Sequence, residues 1–187
     1  MITSQTIQKY LSENFSNTLF KLDIKIIETL NTEKIKQLLI SDYKRYYTTE
    51  FDFSKIKYFK GLLATFFYRI SRELYLNHKE NEALEYSSLG AFLTSIELYY
   101  SSEIGEAFKI NHGTGTVVGA RSKIGNHVLL HQNVTLGEKN GRPTLKDNVI
   151  VYPGAVIVGE ITVGENSIIG ANTFLDKSLP PHSIFTK

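Results

Sequence analysis

Two periodicities divide the chain. In the first hundred residues apolar positions return every three or four places. Ile56, Phe59, Leu63, Phe66, Ile70 and Leu74 form one stripe that Leu62 and Phe67 broaden, which predicts an amphipathic helix. Residues 19–30 and 32–46 carry the same spacing, with Asn31-Thr32 as stop and N-cap between them, and a further helix is expected over residues 82–96. The tyrosines and phenylalanines, eleven of each, concentrate in this half and read as packing surface.

From Ile104 the helical period vanishes and an aliphatic residue returns every sixth place. One register runs through Val118, Ile124, Leu130 and Leu136; a second runs through Leu145, Val151, Ile157, Val163, Ile169 and Leu175. Small or β-branched residues follow four places later in most units (Ser122, Val128, Val134, Val149, Ala155, Ile161, Ser167, Thr173). This is the hexapeptide signature of a parallel β-helix, in which three units of about six residues close one triangular coil. The fold class is therefore α+β by segregation: an α-helical domain over residues 1–98, then a β-helix over 99–187. A nine-residue step from Leu136 to Leu145 predicts a loop protruding near 137–144, and an eight-residue step from Ile110 to Val118 encloses His112. Interruptions of a repeat are where a rigid scaffold can carry chemistry.

Composition removes several alternatives. There is no cysteine, hence no disulfide framework and no thiolate chemistry. The net charge of +2 is spread along the chain, so neither nucleic acid nor an anionic membrane is an expected partner. No run is apolar enough to span a membrane, and the polar start lacks the features of a secretory signal, so the expected location is cytoplasmic.

The segments KGLLATFFYRISRELY and SSEIGEAFKINHGTGTVVGARSKIGNHVLLHQNVTLG, followed by LPPH, resemble the serine acetyltransferases of the left-handed β-helix acyltransferase superfamily. The resemblance covers residues 57–185 and implies a left-handed solenoid that uses acetyl-CoA. The family's D-H-A-T-G turn reads Asn111-His112-Gly113-Thr114-Gly115 here, so His112 matches the histidine that deprotonates the acceptor hydroxyl. The aspartate that serves this imidazole falls at Glu97. Gly154, Ala155, Gly170 and Ala171 match positions where small residues admit the pantetheine arm, and Lys177 is a candidate for the CoA phosphates. The resemblance also implies a homotrimer or dimer of trimers, with acetyl-CoA in the groove between neighbouring β-helices. The chain lacks the family's isoleucine-ended tail, so no complex with cysteine synthase is expected.

The chemistry accounts for such a set. An alcohol needs a base whose pKa lies near the working pH, which suits histidine, and a carboxylate on the other ring nitrogen fixes the tautomer. Main-chain N–H groups of Gly137 and Glu138 are the expected oxyanion donors. No metal is required. Zinc hydration through His112, His127 and His131 is a rival reading, but spacings of 15 and 4 on an eighteen-residue coil are expected to leave them at different corners. A non-catalytic trimeric binding β-helix is another alternative.

The acceptor is where the sequence departs from the resemblance. The family's two aspartates for the serine ammonium fall at Asn111 and Tyr46, and its R-H-P segment reads Gly141-Arg142-Pro143. Burying an ammonium without its anions is costly. The expected reaction is therefore acetyl-CoA-dependent O-acetylation of a sugar hydroxyl, as in a bacterial surface polysaccharide or its precursor. Asn111, Tyr46 and Arg142 are the acceptor-binding candidates. Serine O-acetylation in cysteine biosynthesis is the alternative.

Overall fold

The computed structural model describes residues 2–16 and 18–186. Among the described residues four α-helices precede the solenoid: α1 (Ser4–Phe15), α2 (Thr32–Tyr43), α3 (Lys60–Leu76) and α4 (Glu80–Thr94). Helix α1 was not legible from apolar spacing. Its start is fixed by Thr3, whose side chain accepts from the Thr6 N–H while Thr6 reciprocates at the Thr3 N–H. The helix expected over 19–30 is instead a six-residue 3₁₀ segment, Ile24–Thr29. Asp23 caps its start and Asn31 already caps α2, which leaves too few residues between the two caps for an α-helix. Helix α2 stops at Tyr43, so Tyr46 lies in the turn beyond it.

Fourteen short parallel strands follow among the described residues. They stack into three sheets: one of β1 (Glu97–Leu98), β4 (Val117–Val118), β7 (Thr135–Gly137), β10 (Val156–Val158) and β13 (Phe174–Leu175), a second of β2 (Glu103–Ile104), β5 (Lys123–Ile124), β8 (Thr144–Leu145) and β11 (Thr162–Val163), and a third of β3 (Lys109–Ile110), β6 (Leu129–Leu130), β9 (Ile150–Val151), β12 (Ile168–Ile169) and β14 (Ile184–Phe185). The chain visits the sheets in rotation, giving a parallel β-helix. Each predicted aliphatic position points inward: Val118, Leu130, Leu136, Val151, Ile157, Val163 and Ile169 are fully buried, as are Val128, Val134, Val149 and Ala155. Regular coils repeat after eighteen residues, as in Val156 opposite Phe174. The first coil takes twenty, with Glu97 opposite Val117, because of the His112 turn. The coil carrying the loop takes twenty-one, with Thr135 opposite Val156.

Strands β1 (Glu97–Leu98), β2 (Glu103–Ile104) and β3 (Lys109–Ile110) are the N-terminal edges of their sheets, and side chains of the helices satisfy their free backbone groups. Arg69 donates to the Ile104 and Gly105 carbonyls at 2.7 and 2.6 Å and forms a two-pronged pair with Asp42 at 2.9 and 3.0 Å. Asp42 in turn accepts the Phe108 N–H at 2.8 Å. Tyr68 donates to Ser102 and accepts from Ile104, and Arg45 donates to the Ala107 carbonyl. Burial pushes the Asp42 carboxyl above the usual carboxylate range, against the opposing pull of Arg69 and the Phe108 N–H.

Asp42→Asn is expected to cost about 3–5 kcal/mol of unfolding free energy, the loss typical of a broken buried pair. Replacing both partners, as Asp42→Leu with Arg69→Met, is expected to recover little of it, because Ile104, Gly105 and Phe108 would still lack partners. Urea unfolding of the three proteins checks this, and a double variant as stable as the parent would refute the capping role.

Candidate functional site

The His112 turn lies where sheet three passes to sheet one. Ile110 pairs with Leu130 and Val117 with Thr135, so Asn111 stands opposite His131 and Gly115 opposite Asn133. Between them His112, Gly113 and Thr114 face a single residue, Gln132; two residues are therefore extra. Both His112 (φ 60°) and Gly113 (φ 70°) are left-handed, and a Cβ on Gly113 would strike the side chains of Ile96 and Ile110. The turn is thus folded tightly onto the core, with the His112 imidazole exposed above it.

The helical domain walls the turn. A cleft of about 250 Å³ runs between Tyr46, Tyr58, Phe59 and Lys60 on one side and Asn111 and His112 on the other. Gly61 permits the approach, since a Cβ there would lie 2.6 Å from the Tyr46 hydroxyl and press on the Ile110 carbonyl. The Tyr46 hydroxyl donates to that carbonyl at 3.0 Å and accepts the Ile110 N–H at 2.8 Å. Burial raises its pKa, so it stays protonated. With both bonds made to strand β3, Tyr46 offers the cleft its ring and not its hydroxyl.

Of the residues singled out in the sequence, Asn111, His112 and Tyr46 meet in this cleft. Gly154, Ala155, Gly170 and Ala171 follow on the same corner in later coils, between β9 and β10 and between β12 and β13. Ala155 turns its methyl into the core, and its N–H and carbonyl already bond Tyr152 and Thr135, whereas Ala171 is exposed. Gly137, Glu138, Arg142 and Lys177 belong to the other corner, where sheet one passes to sheet two. Arg142 pairs with Glu138, and its Nε is buried without a hydrogen-bond partner among the described residues. Glu97, in β1, is exposed, and no hydrogen bond or ion pair joins it to His112 among the described residues.

His131 corrects the sequence reading, which put it at a different corner from His112. The two extra residues of the turn bring 131 opposite 111, so both histidines share one corner in successive coils. The His131 ring stacks on Tyr152 at 5.2 Å and 7°. Its pKa is lowered by burial and then by the His112 charge. Correcting the eighteen-residue coil for the eight-residue step would have revealed this from sequence. Nothing in the sequence marked Tyr58 or Lys60, whose place depends on the close packing at Gly61. Among the described residues no three His, Asp or Glu side chains gather as a metal site.

Comparison with known proteins agrees with this architecture. Residues 142–177 match the family model described as bacterial transferase hexapeptide (six repeats). The chain is 40% identical over 136 residues to the serine acetyltransferase of Bacillus subtilis (strain 168), covering 70% of this chain and 63% of the relative. It is 33% identical over 172 residues to a plasmid serine acetyltransferase of Synechococcus elongatus, covering 82% of this chain and 54% of that one. The chain thus spans less than two thirds of these relatives. Among solved structures, serine acetyltransferase isoform 3 of Entamoeba histolytica, in complex with cysteine, superposes with a TM-score of 0.79 at 27% identity over 98% of this chain and 69% of that one. A serine acetyltransferase in complex with CoA gives 0.77 at 28% identity, over 86% and 71%.

The neighbouring imidazoles give a direct check on the corner. In His112→Ala the His131 pKa, followed by NMR, is expected to rise toward the ordinary histidine value and to stop short of it, because burial persists. An unchanged His131 titration would separate the two rings.

Proposed function

We propose that this chain, a serine acetyltransferase-like member of the hexapeptide-repeat left-handed β-helix superfamily, transfers acetyl from acetyl-CoA to an acceptor hydroxyl with His112 as general base. The observation that carries this reading is the cleft in which the imidazole stands above a rigid, register-breaking turn, on the corner that continues to Gly154 and Gly170. CoA itself appears in the name of one similar structure.

In the proposed reaction the His112 imidazole takes the hydroxyl proton while the oxygen attacks the thioester carbonyl. The tetrahedral intermediate collapses with cleavage of the C–S bond, and the imidazolium returns its proton to the departing thiolate. The products are an acetyl ester and free CoA thiol; no acyl-enzyme forms. Glu97 is the proposed carboxylate partner: it stands at the edge of sheet one opposite Val117, the strand that the His112 turn enters, and such bonds often tighten only when substrate is bound. Gly137, Glu138 and Arg142 lie on another corner of the same chain, so their proposed roles as oxyanion donors and acceptor contact require a second copy to present them. That supports a homotrimer with acetyl-CoA held between solenoids, where Lys177 would meet the CoA phosphates.

For the acceptor, the names of the relatives favour L-serine. A second reading, a saccharide hydroxyl, is favoured by one observation: among the described residues no carboxylate lines the cleft, so a serine ammonium would find no anion along its lining.

Thiol release from acetyl-CoA, measured with serine and a panel of sugars, tests the reading. His112→Ala is expected to lower the rate by about 10²–10⁴-fold, the usual contribution of a general base. Equal rates in both proteins with a competent acceptor would remove His112 from the mechanism.

A further inference from the structure

One coil below His112, on the same corner, stands an imidazole to which the proposed reaction gives no part. The Asn111 N–H bonds the Leu130 carbonyl and the Asn133 N–H bonds the Thr114 carbonyl, so His112 and His131 belong to facing turns of two successive coils. Such coils lie about 4.8 Å apart in a parallel sheet. The scaffold holds His131 firmly: its N–H bonds the Val151 carbonyl at 3.0 Å, its carbonyl accepts the Thr116 hydroxyl at 2.7 Å, and its ring stacks on Tyr152. The ring nitrogens have no hydrogen-bond partner among the described residues, and the side chain is half-buried. Stacking alone does not ask for a histidine, since an apolar ring would lie on Tyr152 without drawing two nitrogens out of water. Burial, then the His112 charge, hold the His131 pKa below the ordinary histidine value, so at neutral pH the ring is uncharged and carries one N–H. Tyr152 and His112 are the titratable groups that bear on it; Tyr46, Tyr58 and Lys60 stand across the cleft, beyond the His112 turn.

In the proposed reaction the pantetheine arm runs from His112 along this corner to Gly154 and Gly170, and His131 is on the first coil it meets. As the acceptor oxygen attacks, negative charge develops on the acetyl carbonyl oxygen, and a preorganised donor aimed there lowers the barrier. A neutral imidazole suits that task. It donates without giving up its proton, and it adds no second positive charge beside the imidazolium forming on His112. We propose that the His131 N–H donates to the acetyl carbonyl oxygen, with Tyr152 as the platform that positions the ring. This rests on the acetyl-transfer reading of His112 and deepens it: Gly137 and Glu138 need a second copy to reach that oxygen, whereas His131 comes from the same chain as the base. No proton leaves His131. When the C–S bond breaks the carbonyl reforms, and the proton held by His112 goes to the thiolate.

Contact and catalysis are measured separately. Without an acceptor, the His131 ring resonances are followed by NMR as acetyl-CoA or CoA is added. Acetyl-CoA is expected to shift the nitrogen that bears the proton beyond any change CoA causes, because only the thioester has the carbonyl. In acetyl transfer, His131→Phe keeps a ring on Tyr152 and removes the donor. It is expected to lower kcat by about 10²–10³-fold, the usual loss of one oxyanion donor, with the KM for acetyl-CoA unchanged. His131→Gln restores a neutral N–H and is expected to recover part of that rate. A kcat in His131→Phe equal to the parent's, a loss confined to KM, equal impairment of His131→Phe and His131→Gln, or acetyl-CoA and CoA perturbing His131 alike would each overturn the assignment. If acetyl-CoA perturbs His131 as expected but neither serine nor any sugar is acetylated, the transfer reading falls and the carbonyl contact stands. Transfer lost in His112→Ala and untouched in His131→Phe would do the reverse.

Discussion

The buried pair of Arg69 with Asp42 is the contact on which the rest of the molecule depends. A β-helix has an open end where a whole coil of backbone groups lacks partners, and here the helices answer that coil with side chains. Arg69 holds the Ile104 and Gly105 carbonyls, Asp42 the Phe108 N–H, Arg45 the Ala107 carbonyl, and Tyr46 both polar groups of Ile110. A buried ion pair alone is weak evidence of stabilisation, but these two residues also satisfy the Ile104 and Gly105 carbonyls and the Phe108 N–H of the open first coil. The cap ends at Ile110. The next residues are Asn111 and His112, so the turn bearing the imidazole leaves the scaffold where the helical domain grips it hardest.

That arrangement explains why the cleft belongs to both domains. The solenoid supplies a corner with two extra residues, and the helices supply the facing wall of Tyr46, Phe59 and Lys60. Gly61 and Gly113 serve the same end from opposite sides: one lets α3 approach β3, the other lets the turn fold onto Ile96. A left-handed backbone at His112 is not special to catalysis, since the corners of this solenoid adopt it repeatedly, as at His127, Asn148 and Asn172. What distinguishes the site is the register break and the wall beside it.

Much of this was legible in the sequence because the six-residue period is a strict steric code: each inward position must be aliphatic to fill a fixed triangular core. Both interruptions could be counted from it, and so could His112. Four things were not read, although the third could have been counted from the eight-residue step. Helix α1 is short and set by a threonine capping pair, and the segment around Ile26 is confined between two caps. The companionship of His112 with His131 was hidden by assuming an eighteen-residue coil where the chain uses twenty. The cleft wall was invisible because it depends on contacts such as Tyr46 to Ile110, far apart in sequence and without a local signal.

With Asn111 and Tyr46 standing where the resembling family has carboxylates, the proposed chemistry of His112 is kept and only what can lie beside it changes. The central proposal is therefore about place: that acetyl transfer occurs at the corner where the helical wall meets the His112 turn. The most direct measurement is a crystal structure with CoA bound. The account predicts the thiol within hydrogen-bonding reach of the His112 imidazole and the pantetheine arm running along the corner toward Gly154 and Gly170. A thiol seated on another corner, remote from His112, would contradict it.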